Sequence, residues 1–333
     1  MFAISSSDLI KTYKTANKRE GIVGNLKDLF HRNYREVRAV DGISINIEQG
    51  EFVGFIGPNG AGKSTTIKML TGILQPTSGE IRVLGFNPSL QRQEYTKTIG
   101  VVFGQRTQLW WDIAVKESFE LLRRIYEIPE MEFRERLKYL IDSFQLSSLV
   151  DIPVRKLSLG ERMKCDIVAS LIHNPQILFL DEPTIGLDSI AKNSIRDILR
   201  KLHQETKTTI LLTTHDLQEI EELCERILVL DKGHIVYDGE ISDVRSRVNL
   251  TRTLKIELKE IPDVNFLSDL EYLEDIQVLQ SHPKTIEVKF DSNKHTVFAI
   301  LSKFTQSAEI KDISIEEPSI EEVITRIYTD GIN

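Results

Sequence analysis

Three short apolar runs, at residues 177–180, 209–213 and 227–230, stand apart from the rest of the chain because no charge interrupts them. Such runs suit strands buried on both faces of a parallel sheet. Residues 8–13 and 40–47 alternate apolar with polar positions, and 79–84 reads as a further strand, so these three predict a small β layer. From Trp111 to His173 the period becomes helical, with Phe119, Leu122 and Tyr126, then Leu137, Leu140 and Ile141, on common faces. A helical insertion at about 106–173 is therefore expected inside a first domain of residues 1–240, closed by a hairpin over 232–239. Beyond it the pattern predicts a small α+β domain, 241–333. Its elements are a polar helix at 241–248, strands at 253–258, 276–279, 285–290 and 310–315, and helices at 295–304 and 320–328, the last announced by Pro318 and Ser319.

One apolar run, 52–56, leads into a glycine-rich turn, Gly57, Pro58, Asn59, Gly60, Ala61, Gly62, Lys63, Ser64 and Thr65. Glycines at 57, 60 and 62 permit backbone conformations closed to residues with a Cβ, so successive N–H groups can converge on an anion. Lys63 adds a cation for β- and γ-phosphates, and Ser64 a hydroxyl for Mg²⁺. The following segment, with Ile67 and Leu70 on one face and Gly72 as its stop, supplies a helix whose N-terminal dipole favours phosphate. Strand, turn and helix together predict a nucleotide cradle.

At 333 residues the chain exceeds one comfortable core, and 41% apolar with 28% charged residues is ordinary for a globular protein. Cys165 and Cys224 have no metal or disulfide spacing and read as reduced thiols. No signal-peptide core opens the chain, and no uncharged run approaches the ~20 residues of a membrane span, so work at a membrane requires a partner. The net charge of −8 is uneven: residues 251–333 carry nine Lys/Arg against sixteen Asp/Glu, whereas 14–38 carry seven against three. The acidic tail argues against nucleic-acid binding there. The basic segment suits either an anionic surface or a solvated insertion.

The run at 177–180 ends on Asp181 and Glu182, at the carboxyl edge of a parallel strand, where such sheets bind ligands. Asp181 suits a magnesium water shell, and Glu182 suits orienting and deprotonating an attacking water. Ser158, 23 residues before Asp181, is placed as a helix N-cap with Glu161 as its capping-box partner. That helix start is either a plain cap or a second anion site that the chain's own phosphate loop does not need.

These residues resemble, in order, the Walker A motif (GPNGAGKST), the signature motif (LSLGE), the Walker B motif (ILFLDE), the D-loop (IGLD, ending on Asp188) and the switch histidine (TTHD, His215) of ATP-binding cassette proteins. Gln105 in GVVFGQR resembles the Q-loop. The resemblance covers about residues 8–239. It implies an α/β P-loop NTPase fold: a RecA-like core with a β subdomain and a helical insertion. The stretches SLGERMKCD, DEPTIGLD, FGQRTQLWWD and IEEPSIEEV are further similar to ATPase subunits of type 2 exporters with separate membrane-spanning chains. By this resemblance, two copies meet head to tail, and ATP lies between the Walker A loop of one and Ser158 and Gly160 of the other. Lys63 and the loop amides would bind phosphates, and Ser64, Gln105 and Asp181 would serve Mg²⁺. Glu182 and His215 would act in hydrolysis, Asp188 would couple the two sites, and Tyr13 would stack on adenine, with Tyr34 as an alternative because 14–38 shifts the spacing. The implied partners are a second copy and membrane-spanning permease subunits, with no nucleic acid, and the implied location is peripheral, on the cytoplasmic face of the cell membrane; the alternatives are a cassette ATPase that transmits force to membrane proteins without solute transport, or a soluble one.

Leu159 and Glu161 depart from the family's commonest signature, which has a glycine and a glutamine there. Trp110 and Trp111 follow the Q-loop and suit either an interface or a core. His173, before Asn174 and Pro175, reads as a cap or surface residue, and His31, His203, His234, His282 and His295 form no metal spacing.

Overall fold

A computed structural model describes residues 2–16, 34–104, 106–247, 251–260, 276–282, 284–291, 294–305, 309–316 and 320–330. Gln105, most of the 14–38 segment, and Pro318 with Ser319 lie outside the described residues, as does the side chain of Tyr34. The chain divides into two compact units, Met1–Glu240 and Ile241–Asn333.

The first unit is built on six strands in the order β5-β6-β7-β3-β8-β9: β5 (Ile99–Phe103), β6 (Ile177–Asp181), β7 (Thr209–Thr213), β3 (Phe52–Ile56), β8 (Arg226–Asp231) and β9 (His234–Glu240). All pair in parallel except β9, which returns antiparallel to β8 through Lys232 and Gly233, both at positive φ. This is the primed-turn geometry a two-residue hairpin favours. Strands β6, β7 and β3 are buried at every position, as their unbroken apolar runs require. Strand β5 was not foreseen. It is five residues long and contains Gly100, whose missing Cβ would lie 2.4 Å from the Ser170 carbonyl oxygen, so a helix can pack directly on the strand.

A second sheet, in the order β2-β1-β4, is antiparallel and joins β1 (Phe2–Ala16), β2 (Tyr34–Glu48) and β4 (Ser78–Val83). Its inward residues Ile4, Leu9, Val40, Ile43 and Ile45 share one core with Val53, Phe55, Leu228 and Leu230 of the parallel sheet and with Ile67 and Leu70 of α1 (Lys63–Leu70). At about 1.5–3 kcal/mol for each large side chain removed from water, that common core is what sets the phosphate turn rigidly between the sheets. Helix α2 (Arg92–Thr96) follows, and then the helical region: α3 (Val115–Ile125), α4 (Glu130–Phe144) and α5 (Leu159–Leu171). It buries Phe119, Leu122, Phe133, Leu140 and Phe144, while Tyr126, Leu137 and Ile141 sit at its margin. Helices α6 (Ser189–Thr206) and α7 (Leu217–Leu223) complete the unit.

The second unit begins with α8 (Ile241–Arg247). Strands β10 (Thr251–Leu258), β11 (Ile276–His282), β12 (Thr285–Asp291) and β13 (Ile310–Glu316) form an antiparallel sheet in the order β11-β12-β10-β13. Leu254, Ile256, Ile286, Val288 and Phe290 pack with Ile300 of α9 (Val297–Phe304), and α10 (Ile320–Asp330) buries Ile320, Val323 and Ile327.

His173 is neither a cap nor a surface residue. Its ring stacks on Tyr126, with centroids 4.0 Å apart, and Nε2 lies 2.8 Å from the Ile99 carbonyl oxygen. A carbonyl only accepts, so Nε2 carries the proton, and the buried Nδ1 has no partner among the described residues. Burial lowers the imidazole pKa to about 4. Between about pH 4 and the ordinary value of about 6.5, the unfolded chain binds a proton that the folded one refuses. Stability is therefore full above that window and falls through it by on the order of 3 kcal/mol. His173→Gln is expected to flatten the acid side of the stability profile, measured as urea midpoints of parent and variant at pH 4.5 and 7; parallel profiles would refute this origin.

Candidate active site

The phosphate turn leaves β3 at the centre of the parallel sheet and enters α1 at Lys63. Gly62, the N-cap, has φ 111°, a conformation that L side chains rarely adopt, and a Cβ there would lie 2.5 Å from the Ala39 carbonyl oxygen. The glycine thus lets the turn close against β2. Lys63 is only 8% exposed, and its Nζ donates to the carbonyl oxygens of Gly57 (2.6 Å) and Pro58 (3.2 Å). Burial lowers its pKa, while the nearby Glu182 and Asp181 carboxylates act to raise it. A cavity of about 620 Å³ is lined by Ala39, Asn59, Gly60, Gly62, Lys63, Ser64, Thr65, Glu182, Ile185 and His215. Backbone amides at a glycine turn and a helix start, with a lysine, make this an anion-binding surface.

The acids arrive from β6. Parallel register sets Phe103, Asp181, Thr213 and Phe55 in one row across β5, β6, β7 and β3, so the four strand ends share an edge. Asp181 Oδ1 accepts from the hydroxyls of Thr213 (2.6 Å) and Ser64 (3.2 Å). These oxygens are the hard donors that Mg²⁺ prefers. Glu182, the next residue, turns the chain at φ 55°, a strained conformation for a residue with a Cβ. Its N–H donates to the Thr213 carbonyl at 3.0 Å. Its carboxylate Oε2 lies 2.6 Å from His215 Nδ1, and both side chains face the phosphate cavity. A carboxylate held by an imidazole beside a phosphate cradle can orient a water and accept its proton.

A smaller cavity, about 300 Å³, meets the same residues from another side, lined by Ser64, Phe103, Gly104, Arg106, Asp181 and Glu182 together with Lys68 and Ile73. Gly104 donates to the Asp181 carbonyl at 2.8 Å, and a Cβ there would fall 1.8 Å from the Glu182 carbonyl oxygen. Gly104 and Thr213 lie inside the quoted stretches GVVFGQR and TTHD, but motif reading assigns them no role of their own. Strands β6 and β7 start level, at Ile177 and Thr209, and it is this register that sets Thr213 beside Asp181.

Ser158, Gly160 and Asp188 are not among the lining residues of either cavity. Ser158 caps α5 in a capping box: its N–H and hydroxyl both donate to Glu161 Oε2 at 2.8 Å, and Glu161 N–H returns to Ser158 Oγ at 3.3 Å. Asp188 caps α6 through Ala191 N–H at 2.8 Å. A Cβ on Gly160 would meet Ala191 Cβ at 2.9 Å, so the two helix starts touch at this point. Tyr13 is also outside the cavity lining; its exposed ring lies under Lys11 Nζ at 5.6 Å. Trp110 and Trp111 are 41% and 48% exposed, which removes the core alternative, and the Arg162 guanidinium sits over Trp111. Both cysteines are free and buried. Among the described residues no cluster of His, Cys, Asp and Glu forms a metal site of its own.

Comparison with known proteins adds relatives to this geometry. A family model described as ABC transporter matches residues 40–185. The chain is 32% identical over 295 residues to the daunorubicin/doxorubicin resistance ATP-binding protein DrrA of Streptomyces peucetius, covering 87% of this chain and 88% of that one. It is 35% identical over 215 residues to the ABC transporter ATP-binding protein NatA of Bacillus subtilis, covering 65% and 87%. With the Nod factor export ATP-binding protein I of Ralstonia nicotianae it shares 37% over 209 residues, covering 63% and 64%. Among solved structures, an ATP-binding subunit of an ABC transporter superposes with a TM-score of 0.61 at 26% identity over 73% of this chain and 92% of that one. A dimeric post-hydrolysis state of the cassette MJ0796 bound to ADP and Pi gives 0.59 at 28%, over 72% and 98%. The DrrA match is longer than the first unit and so enters the second. With a P-loop fold, a phosphate cradle and relatives of this extent in agreement, the chain belongs to the ABC transporter family as an ATP-binding, ATP-hydrolysing subunit.

Proposed function

We propose that this ATPase powers an exporter, acting as a head-to-tail pair of copies on separate membrane-spanning subunits at the cytoplasmic face of the cell membrane. The observation that carries the two-copy reading is the separation within one chain: the phosphate cavity holds Lys63, Glu182 and His215, whereas Ser158 and Gly160 lie outside its lining. The capped start of α5 then serves the γ-phosphate bound by the other copy. One structural neighbour is a dimeric cassette, and the names of two relatives specify drug resistance and export. No described helix is long and apolar enough to cross a membrane, which fits a subunit that reaches it through a partner.

Within the pair, Lys63 and the amides of residues 57–65 bind the phosphates. Ser64 and Asp181 would hold Mg²⁺, with Gln105 as a further ligand from the family resemblance; when bound, the ion neutralises phosphate charge. Glu182 orients water and takes its proton, His215 holds Glu182 and faces the γ-phosphate, and Asp188 couples the two sites. Tyr13 stacks on adenine. Closure does work because ATP binds the closed pair more tightly than the open one.

Glu182→Gln is expected to cut turnover by about 100-fold or more while preserving ATP-dependent dimers. Normal steady-state hydrolysis by that variant would sink the assignment of Glu182. Solubilised from membranes with ATP and Mg²⁺, the same variant should carry one or two polytopic membrane proteins, identified by mass spectrometry. Recovery of ribosomal, DNA-associated or single-span proteins alone would discard the exporter. Glu161 sets a second expectation, because its carboxylate engages the Ser158 hydroxyl where phosphate must approach. A unit charge beside such an anion is worth on the order of 1 kcal/mol, about fivefold in concentration. Glu161→Gln should therefore lower the ATP concentration for half-maximal dimerisation about fivefold in the Glu182→Gln background, read by size-exclusion chromatography.

A further inference from the structure

Beneath the turns that carry Glu182 and His215, the first unit buries charges that phosphate binding and proton transfer do not use. Glu219, in the first turn of α7, is 1% exposed, and Arg196, midway along α6, is 3% exposed. Arg196 Nε stands 4.0 Å from Glu219 Oε1, while its Nη1 reaches Glu222 at 2.8 Å and its Nη2 lies 3.8 Å from Asp216, which Lys192 also pairs at 2.7 Å. The buried hydroxyl residues Thr184 and Thr214 face the Glu219 carboxylate closely enough to hold its pKa down, against a larger upward push from burial. Yet both carboxylate oxygens and Arg196 Nε lack a hydrogen bond of good geometry among the described residues.

Such an arrangement is a poor way to gain stability. Two charges removed from water recover the cost only with good geometry and satisfied hydrogen bonds, and an apolar pair of the same volume would do as well or better. What distinguishes Glu219 is where its neighbours lie in the chain. Thr184 is two residues after Glu182, Thr214 immediately precedes His215, and Arg196 stands on the helix that Asp188 caps. One buried carboxylate therefore lies among the supports of all three.

We propose that Glu219 is a positioning residue for hydrolysis: with Arg196 it clamps the Thr184 turn against Thr214, holding His215 and Glu182 at their 2.6 Å separation and tying both to the helix that starts at Asp188. This rests on the reading that Glu182 and His215 act in hydrolysis. The clamp touches neither the phosphate turn nor Lys63, so its loss changes the chemical step and not nucleotide binding.

The test is steady-state ATPase kinetics on the full chain, with thermal melting and ATP-dependent dimerisation in the Glu182→Gln background as companions. Glu219→Gln keeps size and removes the charge; kcat should fall by about tenfold or more, with KM for ATP within about twofold and dimerisation unchanged. Arg196→Gln should match it, and the double variant should add little, as expected of residues acting as a unit. Thr214→Val, nearly isosteric, should lose about threefold or more in kcat alone and serves if the charge variants fold poorly. A folded Glu219→Gln protein with parental kcat would overturn the inference, as would kcat, KM and melting temperature falling together, or parental kcat in Thr214→Val. The control is Glu182→Gln: if it retains hydrolysis, the underlying reading fails and takes this inference with it, whereas loss there beside retention in Glu219→Gln defeats the clamp alone.

Discussion

Asp181 is the point on which the arrangement of the first unit depends. One of its oxygens accepts from Ser64 at the head of α1 and from Thr213 at the end of β7. A carboxylate 9% exposed tolerates its charge only when so bonded, and each hydrogen bond to an ionised group contributes about 1.5–3 kcal/mol. The same two bonds fix the phosphate turn relative to the strand edge. Without them the cradle and the acids would be separate features of neighbouring strands. Parallel pairing makes the contact possible, because it brings the carboxyl ends of β5, β6, β7 and β3 into one row before any side chain is considered.

The strain in the site follows from that row. Asp181 points into the sheet edge, so the next residue must reverse direction to reach the cavity, and Glu182 does so at positive φ. Its N–H is held by the Thr213 carbonyl and its side chain by His215. Gly104 leaves room for the turn by having no Cβ against the Glu182 carbonyl. A cost of about 1–3 kcal/mol for such a backbone is sustained by surroundings that over-determine it. On the proposed reading, the geometry that strains Glu182 is the geometry that aims it.

What was legible in the sequence was what lies close together along the chain. The turn at 57–65, the acids after an apolar run and the Ser158–Glu161 capping box each complete themselves within a few residues, and β6, β7, β8 and the hairpin after them fall at or within one residue of their expected places. Strand β5 was not legible, because its apolar run, unlike that at 52–56, leads into no glycine-rich turn that marks it, and its strand character comes from pairing with β6. His173 looked like a helix-end residue by its neighbours Asn174 and Pro175; only the packing of Tyr126 against it makes it internal. Arg196 and Glu219 have the composition of a solvated helix face. Their burial is produced by α6 and α7 meeting, which no local window contains.

These two kinds of information divide the work of the unit in a physically sensible way. Contiguous motifs bring groups to one place, since neighbouring atoms on a turn need little else to hold them. Relations between turns cannot be encoded locally, and in this chain they are carried by buried polar atoms spanning separate elements: Thr213 to Asp181, Gly104 to Asp181, and the Arg196–Glu219 pair beneath Thr184 and Thr214. Hydrophobic packing alone would fill the same volumes, but it is non-directional and tolerates small slips. A hydrogen bond or charge left unmatched in a dry interior is costly, so a slip of one turn against another carries a penalty that apolar contacts lack. The polar interior behind the site is thus best understood as a set of constraints on register between turns, and the sheet's apolar core as the source of stability that makes those constraints tolerable.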